Sequence, residues 1–284
     1  MNTGKQYGFA LGGGGEKAFA QLGAVKALDR IGIMPSYFSG SSMRAVNAIL
    51  LSAGYSIDEV IDFYKSHKRK DFFRVGLFKL SNAKIGQLVL SMCEKKGFRN
   101  LEDLPKPVYV PATLPSYGLR ITLRKGRIDN VVMASTAAYG IKKYFVNDVV
   151  IRKQIIQQSN QIIRKRAIFR LEDSCYSSNV PFELLDFLRS EKEGLSKEDF
   201  FDIVFDVKPS YKRTAFEPLN GFNKKVLSND SNRATFFENN GKWLNLKLDN
   251  DIRQTDFSNN ALEMGIKIGE KYIEELLKYK DSKI

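Results

Sequence analysis

The sequence predicts a three-layer α/β/α domain with a mostly parallel central sheet, and three observations predict it. Between Tyr7 and Gly54, strand, turn and helix patterns follow one another twice, and repeated βα units place parallel strands under helices on both faces. The 284 residues are 43% hydrophobic and 27% charged, enough to bury a sizeable core in one unit. No internal repeat or low-complexity linker divides the chain, so residues 1–284 read as a single domain.

The elements follow in order. Residues 7–11 form a short apolar run that empties into Gly12-Gly13-Gly14-Gly15, a strand leading to a glycine loop. Ala18, Leu22, Val25 and Leu28 recur at helical spacing, predicting an amphipathic helix over 17–30 with Gly32 as its stop. Residues 37–39 are the next strand; it enters Gly40-Ser41-Ser42-Met43, and a helix follows over 45–53. Ser56 with Glu59 is a capping-box pattern, opening a helix that ends near Ser66. Further helices are expected over 82–95, 129–137, 180–188 and 259–278, and strands over 108–110, 119–123 and 202–207. Pro115-Ser116-Tyr117-Gly118 is a turn. Residues 208–250 lack periodicity and are expected to be irregular.

Composition narrows the partners. A net charge of +13 either draws the chain to anionic surfaces such as phosphate polymers and membranes, or is a lysine-rich habit with no partner behind it. No stretch approaches the roughly 20 apolar residues of a membrane span. The opening Met1-Asn2-Thr3-Gly4-Lys5 lacks a secretion pattern, and two cysteines, Cys93 and Cys175, make neither a disulfide framework nor a four-ligand metal site. A cytoplasmic protein is expected, without cofactor or metal.

The strongest local signal is Phe38-Ser39-Gly40-Ser41-Ser42-Met43-Arg44, a strand-to-helix turn with Ser42 at its apex. Such an elbow lifts the serine oxygen clear of the sheet at a helix N-terminus, where backbone N–H groups favour negative charge. Its tightness demands small residues two before and two after the serine; Gly40 satisfies the first demand and Arg44 does not satisfy the second. Ser42 also fits a simple helix N-cap. The loop Gly12 to Gly15 lets backbone amides approach a developing oxyanion, or a nucleotide phosphate. Neither nucleotide pattern fits well: Lys17 is followed by Ala18 rather than Ser or Thr, and Ala18 stands where a dinucleotide loop has its third glycine.

Taken together, Leu11-Gly12-Gly13-Gly14-Gly15-Glu16-Lys17, Gly23-Ala24-Val25-Lys26-Ala27-Leu28, Gly40-Ser41-Ser42-Met43 and Ala53-Gly54-Tyr55-Ser56 resemble the patatin-like phospholipase family. So do Met133-Ala134-Ser135-Thr136-Ala137-Ala138-Tyr139-Gly140 and Asp173-Ser174-Cys175-Tyr176-Ser177-Ser178-Asn179-Val180-Pro181, in the family's order. The resemblance implies a metal-independent hydrolase of lipid acyl esters. In it Ser42 is the nucleophile, Asp173 the general base, and the amides of Gly13, Gly14 and Gly15 stabilise the oxyanion, with Lys17 orienting the loop. The chain departs from the pattern at Arg44, where the elbow has glycine, at Ser174-Cys175, where the aspartate is followed by glycines, and at Ala18. The long Arg44 side chain must be routed outward or the turn opens. These departures support an alternative, a catalytically impaired scaffold that binds lipid or anionic membrane.

Histidine arithmetic bears on the base independently. A serine triad needs an imidazole, and the single histidine, His67, sits in the charged run Lys65-Ser66-His67-Lys68-Arg69-Lys70, where exposure is expected. No histidine follows Asp173, so a serine nucleophile would need another base, for which a carboxylate is the leading candidate. Asp148 is a lesser rival, and Cys175 has no histidine to activate it. Residues 149–170 form a basic insertion in which Ile155, Ile162 and Phe169 repeat at seven-residue spacing among Arg152, Lys153, Arg164, Lys165, Arg166 and Arg170. This reads as an amphipathic helix, lying either on an anionic bilayer or against the domain. Its basic residues are not interleaved with aromatic ones, which argues against single-stranded nucleic acid as partner.

Overall fold

Alternate side chains of a strand leave on opposite faces, and strand β1 (Gln6–Leu11) uses this to divide the interior in two. Phe9 and Leu11 join one cluster of buried side chains, and Ala10 joins the other. The same split holds along β2 (Pro35–Gly40), where Phe38 and Tyr37 part. It holds again along β9 (Phe200–Asp206), where Ile203 and Phe205 face away from Val204. The structure, a computed structural model, describes residues 6–13, 18–75, 80–114, 119–137, 144–146, 169–174, 180–182, 184–185, 200–206, 243–247 and 258–281.

The central sheet has six strands in the order β10 (Trp243–Lys247), β9, β1, β2, β5 (Val108–Leu114) and β6 (Leu119–Leu123). Every neighbouring pair is parallel except β5 with β6, and outside this sheet β3 (Arg74–Val75) pairs antiparallel with β4 (Leu80–Ser81). With helices on both faces, the sheet is the mostly parallel middle layer that the βα repeats predict. Among the described residues, Val180, Phe182, Leu184 and Leu185 cover the smaller cluster. The larger cluster is roofed by α1 (Ala18–Arg30), α2 (Met43–Ser52), α3 (Ile57–Ser66), α5 (Ala83–Lys95), α6 (Ile128–Ser135) and α7 (Asn259–Asp281), with the short α4 (Arg69–Phe72) beside them. No helix among the described residues is long and apolar enough to cross a membrane.

Local chemistry explains the helix ends. Ser56 Oγ accepts the Glu59 N–H at 3.2 Å while the Ser56 N–H donates to Glu59 Oε2 at 2.7 Å, so the capping box is complete. α1 and α7 touch backbone to backbone: a Cβ on Gly23 would stand 2.0 Å from the Ile266 carbonyl oxygen, and one on Gly269 would stand 1.9 Å from that of Ala20. Only glycine permits this approach. An ion pair, Arg30 to Glu270 at 2.9 Å, closes its rim.

Three expectations change. Within the segment expected to be irregular, Trp243–Lys247 is an edge strand parallel to β9; its Leu244–Asn245–Leu246 alternation is too short to stand out among polar neighbours. Helix is not continuous to the end of the basic insertion, because Phe169–Leu171 is strand β8, antiparallel to β7 (Tyr144–Val146); residues 149–168 lie outside the described residues. Residues 180–182 are bend and turn rather than helix, and only 184–185 are helical in the described part of that segment. Pro181 disfavours the helical conformation at Val180, its neighbour. The turn expected over 115–118 also lies outside the described residues.

Candidate active site

β2 ends at Gly40 and α2 begins at Met43, so the chain reverses over Ser41 and Ser42 alone. The turn is closed tightly enough that a Cβ on Gly40 would lie 2.6 Å from the Arg44 carbonyl oxygen and 3.0 Å from the Ala45 amide. Ser42 takes the strain, with φ 57° and ψ −130°; it is the one non-glycine residue at positive φ among the described residues. Such backbone costs on the order of 1–3 kcal/mol and persists only where the surroundings enforce it.

Those surroundings grip both ends of the residue. The Ser42 hydroxyl donates to Asp173 Oδ2 at 2.8 Å, and its amide donates to Ser174 Oγ at 2.8 Å and to Ser135 Oγ at 3.1 Å. Ser42 and Asp173 are 7% and 3% exposed, so the contact is shielded yet not sealed. Although Ser42 occupies the N-cap position of α2, its side chain makes no capping bond. The helix it precedes is buried along its whole length, with Met43 at its start inside the larger core cluster.

Asp173 is placed by β5 and by the segment that follows α6. Its amide donates to the Ala137 carbonyl at 3.1 Å, and its own carbonyl accepts the Thr113 hydroxyl at 2.8 Å. Glu172 and Thr113 exchange two backbone bonds of 2.9 Å, which tie the segment to β5. None of these anchors is apparent from the sequence, although Ser135 and Ala137 lie inside the Ala-Ser-x-Ala segment.

On the glycine loop, Gly12 spends its N–H on the Phe205 carbonyl at 3.1 Å. The Gln21 side chain clamps the same point, donating to the Gly12 and Phe205 carbonyls at 3.1 Å each. A Cβ at Gly12 would lie 2.5 Å from Val180 Cγ2. Gly13 is buried as well. Gly14, Gly15 and Lys17 lie outside the described residues, as do Asp148 and Cys175.

Two expectations about side chains are corrected. Arg44 is fully buried rather than routed outward, and the turn stays closed. The tightness falls on the backbone of residue 44, whose carbonyl faces Gly40, so the side chain is free to take the interior. His67 is only partly exposed: its Nδ1 lies 2.7 Å from the Phe63 carbonyl, and its ring packs on Phe63 and Phe72 with centroids 4.9 and 5.9 Å away. Its contacts belong to α3 and α4, apart from the Ser42–Asp173 pair. Cys93, buried on α5, has its thiol pushed up to about 12 by burial, so it is inert as a nucleophile.

The sequence model described as Patatin-like phospholipase matches residues 9–270. Among solved structures, VipD from Legionella pneumophila is similar at 15% identity and a TM-score of 0.52, over 97% of this chain and 67% of that one. The type III effector protein ExoU is similar at 12% identity and a TM-score of 0.43, over 97% and 53%. The chain thus spans about two thirds of the first protein and about half of the second. At this identity the VipD likeness speaks to the fold.

Proposed function

Since the chain belongs to the patatin-like phospholipase family, we propose that it hydrolyses lipid acyl esters with Ser42 as nucleophile and Asp173 as general base. The observation that carries this reading is the 2.8 Å bond from the Ser42 hydroxyl to Asp173 Oδ2, on a serine held at positive φ. Asp173 takes the hydroxyl proton as Ser42 Oγ attacks the acyl carbonyl. The tetrahedral oxyanion faces the amides of Gly13, Gly14 and Gly15, with Lys17 orienting the loop; Gly12 is excluded as a donor because its N–H is held by Phe205. Collapse expels the alcohol, protonated by Asp173, and leaves an acyl-Ser42 ester. Asp173 then deprotonates water, which attacks that ester and releases the fatty acid.

The experiment is labelling with a fluorophosphonate probe, alongside hydrolysis of a fluorogenic acyl ester. Both should be present in the wild type and absent in Ser42→Ala. A second reading, a scaffold that binds lipid without cleaving it, draws on the buried Arg44 in place of the elbow glycine. It predicts folded wild type that the probe leaves unlabelled. We also propose a lipid substrate presented by an anionic membrane and approached from the cytoplasm, with the basic insertion making peripheral contact. Pelleting with anionic liposomes tests this, and charge reversal over 149–170 that changed nothing would remove the insertion from the account.

A further inference from the structure

Ser174 stands where the family pattern has glycine, and its hydroxyl is the hub of a buried network. Its Oγ lies 2.7 Å from Ser41 Oγ, 3.0 Å from Ser135 Oγ and 2.8 Å from the Ser42 amide nitrogen. Ser41, Ser135 and Ser174 are each fully buried. A hydroxyl has one proton to give, and Ser135 donates to the Pro111 carbonyl at 2.9 Å. With that proton spent, Ser135 Oγ only accepts, from the Ser42 amide and from Ser174, whose hydroxyl also lies 3.4 Å from the Ser135 carbonyl; the Ser174 oxygen in turn accepts from the Ser42 amide. The chain of protons ends on Pro111, which lies past the last residue pair of the β2–β5 ladder, Ser39 with Tyr109.

We infer that Ser174 is a positioning residue for the nucleophile, and the inference rests on the hydrolase reading above. Two consecutive residues divide the work: Asp173 takes the hydroxyl of Ser42 and Ser174 takes its amide. This fixes the strained backbone of Ser42 and the direction of its side chain relative to the base in one rigid unit. It also links the elbow to the end of α6 through Ser135. A glycine at residue 174 would offer no such acceptor. The Ser42 amide, held by two hydroxyls, is unavailable to the oxyanion, which leaves that task to the glycine loop.

The test compares the wild type with Ser174→Ala, reading fluorophosphonate labelling rate, kcat, KM and the hydrogen exchange of the Ser42 amide. Displacement of a reacting group by about an ångström costs on the order of 100-fold. Labelling rate and kcat should accordingly fall by about 10- to 100-fold, with KM within about twofold and the pH profile unchanged in shape. Exchange at Ser42 should accelerate at least about tenfold. If Ser174→Ala does not fold, Ser174→Cys keeps the volume and substitutes a weak acceptor, and the same changes are expected. Unchanged exchange at Ser42 in a folded variant overturns the inference, whatever the rates do. Wild type that the probe never labels overturns the hydrolase reading instead, and the exchange comparison still judges the grip on the amide.

Discussion

Gly40 faces the carbonyl oxygen of Arg44 so closely that a single added carbon would stand 2.6 Å from it. The neighbours it would meet, the Arg44 carbonyl and the Ala45 backbone, cannot swing aside as a side-chain tip does. Gly40→Ala should therefore cost about 1–3 kcal/mol, the range for overpacking. It should also lower ester hydrolysis by more than about tenfold by shifting Ser42 against Asp173. Denaturant melts and turnover check both, and wild-type stability would contradict the tight elbow.

At Ser42 the usual order of glycine and alanine should reverse. Alanine is ordinarily the better residue where the backbone is helical or extended, but a Cβ at φ 57° and ψ −130° is strained. Ser42→Ala and Ser42→Gly both lose the hydroxyl and should both be inactive. The glycine variant should nevertheless be the more stable by about 1 kcal/mol. Paired thermal melts decide it.

The α1–α7 contact should be intolerant of one methyl group. Gly269→Ala would put a carbon 1.9 Å from the Ala20 carbonyl and 2.6 Å from the Ala24 amide. The helices must then separate, at a cost of about 3 kcal/mol, the upper part of the overpacking range. Urea unfolding should show a lower midpoint with little change in slope.

The capping box at α3 supplies a pH signature. The Ser56 N–H bond to the Glu59 carboxylate holds that group below its ordinary value of 4.5. A carboxyl depressed in the folded state adds stability above its unfolded pKa and loses it as pH falls through the folded value. Ser56→Ala should cost about 1 kcal/mol near neutral pH. Glu59→Gln should cost less, and its deficit relative to wild type should fade as the pH falls below the ordinary value of 4.5 and through the depressed one. A deficit that persisted there would contradict the depressed carboxyl.

What could be read in the sequence is what local patterns determine. The α1 periodicity and the Ser56–Glu59 pair reproduce helices to within a residue, because caps and stripes involve neighbours three or four apart. Ser42 and Asp173 stand out in the sequence through motif order alone; the 2.8 Å between the Ser42 hydroxyl and Asp173 Oδ2 is a matter of the fold. Thr113, Ala137 and Ser174 do not, since each acts on a distant partner through backbone or hydroxyl groups that leave no pattern. Arg44 misled for a related reason. Side-chain length suggested exposure, while burial depends on space made by several elements at once.

The pinning of Asp173 by Thr113 and Ala137, far along the chain from the elbow, sets an order of events during synthesis. The N-terminal portion leaves the ribosome first, carrying Ser42 with no acid to deprotonate it. On the proposed mechanism, an interrupted or clipped translation product ending before Glu172 is harmless to surrounding bilayers. Esterase power arrives only when the later half docks.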